Sequence, residues 1–224
     1  MAKQMKPLVR GGGYYPSHRW TPLVYPGGYT AMNVNGGGSP LPEEYTQVNG
    51  LAFNGDCYFS IADLKLKGSD TVRFSMIPNG VCNVFGCYTT TTADTNYSLY
   101  ISTATSSKTL RYNGGTYKSR FATETYGKQF DISITPTGSH GMPDGVDDTW
   151  DEVDFTAPVD MCIGTTSTST SFAKFKGSFI GPFIVDGRFY GIPCKRNADD
   201  VLGYYDTVTG TFFEPAAGTP TVVE

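Results

Sequence analysis

Short runs of β-branched and aromatic residues follow one another from Tyr45 to the end of the chain, and Gly, Asn, Asp and Pro separate them. Such runs favour β-strands, and the residues between them favour tight turns. No segment sustains an apolar repeat at the helical period, so we expect at most a short turn of helix. A sandwich or barrel can use the full length of 224 residues. The sequence therefore predicts a single all-β domain.

Three segments have the composition of hairpin turns, namely Asn113-Gly114-Gly115, Asp186-Gly187 and Thr209-Gly210. Each lies between two short apolar or aromatic runs, which is the arrangement expected of adjacent antiparallel strands. We place candidate strands near residues 46–53, 57–66, 70–77, 81–88, 96–103, 108–113, 116–123, 128–135, 159–164, 172–185, 188–194, 201–206 and 211–214.

The first 42 residues have a different composition, with two Gly-Gly-Gly runs and six prolines. Glycine and proline at this density break helices and interrupt strand ladders, so this arm should not fold alone. Its aromatic residues nevertheless need a surface to bury against, either its own domain or a partner. We favour an anchor that orders on a partner or neighbouring subunit. The candidate attachment residues are Arg10, Tyr14, Tyr15, Arg19, Trp20 and Tyr25.

Charge is divided unevenly along the chain. Residues 1–42 contain four basic residues and no acidic one, and since the whole chain carries −4, residues 43–224 carry −8. Four dispersed basic residues fall short of the basic stripe of a nucleic-acid-binding domain. The opposite charges of the arm and the body favour an acidic protein as the neighbour of the arm. We expect no nucleic-acid partner.

The chain shows no sign of export or membrane insertion. No stretch approaches the roughly 18 to 20 apolar residues that cross a bilayer, and the N-terminus lacks the apolar core of a signal peptide. Its five cysteines form no C-x-x-C pair. We expect them to be reduced and buried, which indicates assembly in a cytosol.

An acidic segment at residues 144–154 contains six carboxylates and no basic residue. Oxygen ligands at this density could hold a calcium ion, although the spacing does not match an EF-hand loop. The alternative is a solvated acidic loop, which we favour, and we expect no other cofactor. The candidate calcium ligands are Asp144, Asp147, Asp148 and Asp151.

The sequence contains few residue patterns that could form a catalytic site. Glu152 and Asp154 would share one strand face, as the acid and nucleophile of a retaining glycosidase must, but Thr156 at the next such position cannot serve. His140 is the only histidine outside the arm, and its surroundings predict an exposed loop. We therefore expect no enzyme activity and no catalytic residue, with a glycoside hydrolase as the weakest alternative.

Aromatic residues near turns suggest a second kind of site, because a ring face can stack on a sugar. The candidate sugar-binding residues are Trp150, Tyr126 and Tyr97. Most rings in a sandwich belong to the core, so any single one is more often structural than functional. A host surface glycan is therefore an alternative ligand rather than the favoured one.

The last fifty residues carry a recognisable pattern. It consists of Lys-Gly-Ser-Phe-Ile-Gly at 176–181, Ile-Pro-Cys-Lys-Arg at 192–196 and Val-Leu-Gly-Tyr-Tyr-Asp-Thr-Val-Thr-Gly-Thr-Phe-Phe at 201–213. Weaker matches lie at 44–47 and 155–158. The stretch resembles the final strands of the concanavalin A-like, or laminin-G-like, jelly rolls of bacteriophage surface proteins, including head-fibre, decoration and tail-fibre types.

This resemblance implies a two-sheet antiparallel jelly roll over residues 43–224. It does not cover residues 1–42, whose composition predicts the extended arm. It also implies a non-enzymatic structural protein of the virion surface, either a capsid decoration or head-fibre subunit or a tail-surface subunit. Such a protein would assemble in the bacterial host cytoplasm with other virion proteins, as a small homo-oligomer such as a trimer. A carbohydrate-binding adhesin or receptor-binding module is the alternative.

Overall fold

The computed structural model describes residues 21–24, 30–33, 41–89, 95–101, 110–113, 115–117, 126–142, 145, 147–168 and 173–224. Strands make up the regular structure of these residues, and none of them lies in an α-helix. Accordingly, this part of the chain has no helix that is long and apolar enough to cross a membrane. The predicted all-β sandwich with two antiparallel sheets is confirmed.

Two strands lie in the arm and the others lie in the body. Those of the arm are β1 (Thr21–Val24) and β2 (Thr30–Asn33). Those of the body are β3 (Tyr45–Gln47), β4 (Gly50–Asn54), β5 (Phe59–Ile61), β6 (Val72–Pro78), β7 (Cys82–Cys87), β8 (Tyr97–Ile101), β9 (Leu110–Tyr112), β10 (Gly115–Tyr117), β11 (Phe130–Thr135), β12 (Gly138–His140), β13 (Met161–Ile163), β14 (Lys176–Val185), β15 (Phe189–Arg196), β16 (Leu202–Asp206), β17 (Thr211–Phe213) and β18 (Thr221–Val222).

The body consists of two antiparallel sheets. The large sheet has the order β12-β11-β6-β14-β15-β16-β17; β4 pairs with β14 and β18, and β3 pairs with β15. The small sheet has the order β10-β9-β8-β7-β13-β5. Neighbours that are distant in sequence, such as β7 and β13, show that the chain crosses between the sheets rather than forming a simple meander.

Aromatic side chains fill the space between the sheets. Phe74 of β6 and Phe183 of β14 stack with their ring centroids 5.0 Å apart, and Phe85 of β7 meets Phe74 edge-on at 5.3 Å. Phe59 of β5 meets Tyr204 of β16 at 5.0 Å. Since each contact with Phe85 or Phe59 joins the small sheet to the large one, these rings form the inner layer of the sandwich.

The three predicted turns lie where expected. Asn113 follows β9 with a positive φ of 48°, and Tyr112 pairs with Gly115 across the turn. Gly187 and Gly210 have φ values of 68° and 71° in the β14–β15 and β16–β17 turns. Glycine adopts this left-handed conformation without the steric cost that a Cβ would bring, which explains its presence at both turns.

The arm contains a hairpin that the sequence did not predict. β1 and β2 pair in antiparallel register from Thr21 opposite Asn33 to Val24 opposite Thr30. The sequence analysis placed its first strand near residue 46 and therefore missed this hairpin. The candidate attachment residues Arg10, Tyr14, Tyr15, Arg19, Trp20 and Tyr25 all lie outside the described residues.

The packed body begins no later than Leu41. Its side chain is 8% exposed and contacts Ile192 and Cys194 of the large sheet. The carbonyl oxygen of Pro42 accepts a hydrogen bond from the backbone N–H of Tyr45. These two residues belong structurally to the body, although the predicted boundary placed them at the end of the arm.

Candidate functional site

A hydrogen bond between Asp147 and His140 joins the acidic segment to the large sheet. His140 is exposed at the end of the edge strand β12, not in a loop as expected, and its Nδ1 is 3.0 Å from a carboxylate oxygen of Asp147. The backbone N–H of Gly141 donates to the same carboxylate. The hydrogen bond from His140 is the main reason that the pKa of Asp147 lies below its usual value of 3.8. Because both side chains are solvated, this pair tethers the loop only weakly.

The candidate calcium ligands do not form a cluster in the part of the chain that the structure describes. Asp148 is half-buried, and its backbone bonds to Ser139 of β12, whereas Asp151 is exposed. Asp144 lies outside the described residues. Among the residues that are described, no group of three or more His, Cys, Asp and Glu side chains could hold a metal ion. Calcium binding stays a prediction.

The candidate sugar-binding residues lie in different surroundings. Trp150 is half-buried, and its ring packs on Tyr112 with the centroids 5.0 Å apart. Tyr126 is half-buried against the core, and its pKa is raised mainly by burial, with smaller contributions from Cys82 and Tyr100. Tyr97 is fully buried, and its hydroxyl donates to the carbonyl oxygen of Ile134.

A ring that stacks on a sugar must present a face to solvent, so the assignment of Tyr97 to a sugar site is corrected: it is a core residue. Trp150 and Tyr126 each keep part of their surface exposed. They lie beside different strands, since Tyr112 belongs to β9, whereas Cys82 and Tyr100 belong to β7 and β8. The structure gives no direct contact between the two candidates.

The predicted strand face of Glu152 and Asp154 is wrong. Residues 151–155 form no strand, and both carboxylates are exposed. They therefore lack the enclosing cleft in which a glycosidase raises the pKa of its acid.

The five cysteines are free and buried, as predicted. Burial raises the pKa of Cys57, Cys87 and Cys194 to about 12, and that of Cys82 and Cys162 to about 11. Since the thiolate is the reactive form, these side chains act as apolar core residues rather than as nucleophiles.

A second surface emerges from the large sheet, and the sequence analysis missed it. Along β15, Phe189 faces the inner core, while Tyr190, Ile192 and Cys194 face the opposite side. Strands β16, β17 and β3 add rings to the same side, and Leu41 packs among them. We call this set the outer aromatic surface; its members are Leu41, Tyr45, Tyr190, Ile192, Cys194, Tyr205 and Phe212.

Contacts between the rings hold the outer aromatic surface together. The ring of Tyr45 lies 4.9 Å from that of Tyr205 and 5.0 Å from that of Phe212. Ile192 pairs with Tyr205 in the sheet, and Tyr205 pairs with Phe212. Leu41, Ile192 and Cys194 are buried beneath the four rings, which are themselves only half-buried. The surface therefore has an apolar floor and exposed aromatic edges.

Charged groups border one end of this surface. The guanidinium group of Arg196 lies over the ring of Phe212 at 5.2 Å and donates hydrogen bonds to Asp199 and Glu214. These bonds raise the pKa of Arg196 and lower that of Asp199. Lys195 pairs with Asp200 at 2.7 Å. We call the exposed acidic residues of this border the acidic rim; they are Glu43, Glu44, Asp199, Asp200 and Glu214.

One signal in the sequence could have revealed the outer aromatic surface. In Phe-Tyr-Gly-Ile-Pro-Cys at 189–194, apolar residues occupy both alternating positions of the strand. A strand with one solvated face alternates apolar with polar residues, so this run indicates that β15 is covered on both sides.

The described part of the chain is an antiparallel β-sandwich that carries the acidic segment and the outer aromatic surface. The basic arm precedes it in the sequence. Comparisons with protein-family models, curated proteins and solved structures gave no match to this chain.

Proposed function

We propose that the chain is a non-enzymatic structural subunit of a bacteriophage virion surface, anchored through its arm. Its place would be that of a capsid decoration or head-fibre subunit, with a tail-surface position as the second choice. The resemblance of residues 176–213 to phage jelly rolls supports the virion assignment. The charge contrast between arm and body supports attachment through the arm to an acidic partner.

The proposed attachment role of the arm is supported by the position at which the packed body begins. The described residues from Leu41 onward build the sandwich, whereas residues 1–40 precede them in the sequence with a net charge of +4. A segment that precedes the sandwich in this way can bind a neighbour without disturbing the core. The exposed positions of Glu152 and Asp154, and the buried thiols, are compatible with a protein that displays a surface rather than catalysing a reaction.

The test is deletion of residues 1–39, which keeps Leu41 on the outer aromatic surface. We expect the shortened protein to retain the circular dichroism spectrum of a β-sheet protein and to be lost from purified particles. A matched control replaces Lys3, Lys6, Arg10 and Arg19 by glutamine, which keeps the length and removes the charge. Incorporation of the deletion variant at the level of the full chain would refute attachment through the arm, and unfolding would place the arm in the core.

A carbohydrate-binding module is the second candidate, and the half-exposed ring of Trp150 beside acidic residues is the observation that favours it. Glycan-array binding that Trp150→Phe retains and Trp150→Ala removes would support stacking, provided that both variants melt cooperatively. The absence of glycan binding by the full chain would exclude this candidate. Hydrolysis of a bound glycan that Glu152→Gln abolishes would instead establish a glycosidase.

A further inference from the structure

The outer aromatic surface is an apolar patch on a face of the large sheet, where a solvated face would carry polar residues. Four half-buried rings, those of Tyr45, Tyr190, Tyr205 and Phe212, lie side by side over a buried floor. Contiguous apolar patches of this kind mark interaction sites. Leu41 is part of this buried floor, and it lies where the arm meets the body.

The pairing of β1 with β2 shortens the tether between the start of β1 and the body. Because Thr21 pairs with Asn33, the two ends of the arm hairpin lie together, and the link that joins β2 to Leu41 starts at one of them. Trp20 directly precedes Thr21 in the sequence. Eight residue steps from Asn33 to Leu41 span at most about 28 Å, at roughly 3.5 Å for each step. Thr21 is therefore tethered to Leu41 through this link rather than through the whole sequence between them, and the link contains Gly36, Gly37 and Gly38.

Charge complements this proximity. The acidic rim contributes five negative charges, whereas Lys195 and Arg196 contribute two positive ones, which leaves a net charge of −3. Both basic residues pair with acidic residues of the rim. Glu43 and Glu44 have no ion-pair partner among the described residues, and both are exposed. They are therefore available to the basic arm, whose net charge is +4.

We propose that residues 14–20 of the arm dock on the outer aromatic surface of their own chain. The rings of Tyr14, Tyr15 and Trp20 cover the exposed rings of the sheet, and Arg19 pairs with Glu43 or Glu44. Tethering through a short link gives the segment an effective concentration in the millimolar range, so docking within the chain prevails in dilute solution. This inference does not depend on the proposed virion role, since it concerns the free subunit.

The experiment follows Trp20 in the full-length chain. The protein has two tryptophans, so Trp150→Phe leaves Trp20 as the only indole reporter. Its emission maximum and its quenching by acrylamide are measured in dilute buffer, in high salt and in urea. We expect quenching in buffer to be several-fold weaker than in urea, and to increase with salt because the rim contributes electrostatically. As a second measurement, 5-fluorotryptophan in the unsubstituted chain reports the solvent exposure of Trp20 by fluorine NMR.

A charge-reversal pair tests the surface itself. Glu43→Lys with Glu44→Lys should increase the quenching of Trp20 toward its value in urea. Glu152→Lys with Asp154→Lys is the matched control, because it changes the net charge equally at exposed positions on the acidic segment. The control should leave the quenching of Trp20 unchanged.

Three results would overturn the proposal. The first is quenching of Trp20 in buffer that equals its quenching in urea. The second is protection that disappears on dilution into the nanomolar range, which would assign the surface to the arm of a second copy. The third is an equal change in the quenching of Trp20 in the rim variant and in its control. That result would show that the quenching depends on the net charge of the protein and not on the position of the substituted residues.

Discussion

The carboxylate of Asp206 holds the β16–β17 turn, and its removal should destabilise the whole sandwich. The side chain is 1% exposed and accepts hydrogen bonds from the backbone N–H groups of Tyr190, Val208 and Thr209, at 2.8, 3.1 and 3.2 Å. The hydroxyl of Thr209 donates to it at 2.7 Å. One side chain therefore ties the turn to the neighbouring strand β15.

The cost of Asp206→Ala follows from which donors can find water. Val208 and Thr209 are exposed, so their N–H groups can be rehydrated, whereas the N–H of Tyr190 loses its partner in a half-buried strand. A buried donor left without a partner costs about 1 to 3 kcal/mol, and the rehydrated donors add a smaller amount. We expect a loss of about 3 kcal/mol in the free energy of unfolding, and a melting temperature lower by roughly 6 to 12 °C in a domain of this size.

Urea denaturation followed by circular dichroism measures the loss. Asp206→Asn keeps one carbonyl oxygen as an acceptor and should lose less than Asp206→Ala. Asp199→Ala is the control for removal of a carboxylate, because Asp199 is exposed and should change stability by no more than about 1 kcal/mol. A loss below about 1 kcal/mol for Asp206→Ala would refute this account, since a buried acceptor of four hydrogen bonds should cost more than a surface ion pair.

Three further changes test other parts of the molecule. The hydroxyl of Tyr204 is buried without a hydrogen-bond partner among the described residues, so Tyr204→Phe should leave stability unchanged or raise it by about 1 kcal/mol in urea denaturation. Gly141 and Gly145 have φ values of 73° and 71°, but a Cβ at Gly141 would lie 1.9 Å from a backbone oxygen, while one at Gly145 would meet nothing within 4 Å. Gly141→Ala should therefore lower the melting temperature far more than Gly145→Ala, and equal losses would contradict the steric argument. The Asp147 carboxyl should titrate below 3.8 in NMR, so its contribution to stability is present above that pH and is lost as the pH falls; His140→Ala should return the pKa toward 3.8.

The strands that the sequence predicted best are those bounded by strong turns. The run at 172–185 and the run at 188–194 contain β14 and most of β15, because Asp186-Gly187 marks the turn and β-branched or aromatic residues flank it. The prediction at 57–66 was too long, since only Phe59–Ile61 forms β5. After it, Asp63 adopts a φ of 63°, which an extended strand does not allow.

The sequence analysis did not predict short strands that form only because they pair with another strand of the sheet. The Gly-Ser-His segment of β12 has the composition of a loop, yet it pairs with β11 at the edge of the large sheet. The short strand β18 was missed for the same reason, since it exists only through its pairing with β4. Local propensity contains no information about such partners.

The candidate site was harder to predict than the fold, because it depends on which face of a strand each ring occupies. The sequence analysis offered both Tyr97 and Trp150 as exposed aromatics, but Tyr97 is buried in the core, whereas Trp150 is only half-buried against it. Conversely, the sequence analysis did not single out Tyr205 and Phe212, which lie on the outer side of the large sheet. A shift of one residue in register exchanges the two faces of a strand.

The residues that carry the family resemblance have a structural purpose, and this separates the argument for fold from the argument for function. In the stretch from Gly203 to Gly210, Asp206 caps the turn and Gly210 takes a left-handed conformation that closes the hairpin. Any protein that builds this hairpin needs such residues, whatever its outer surface binds. The function must therefore be sought in residues that the hairpin does not require. Glu43, Glu44 and the exposed ring edges beside them meet that condition, which is why the decisive variants change the rim and the arm and leave the hairpin intact.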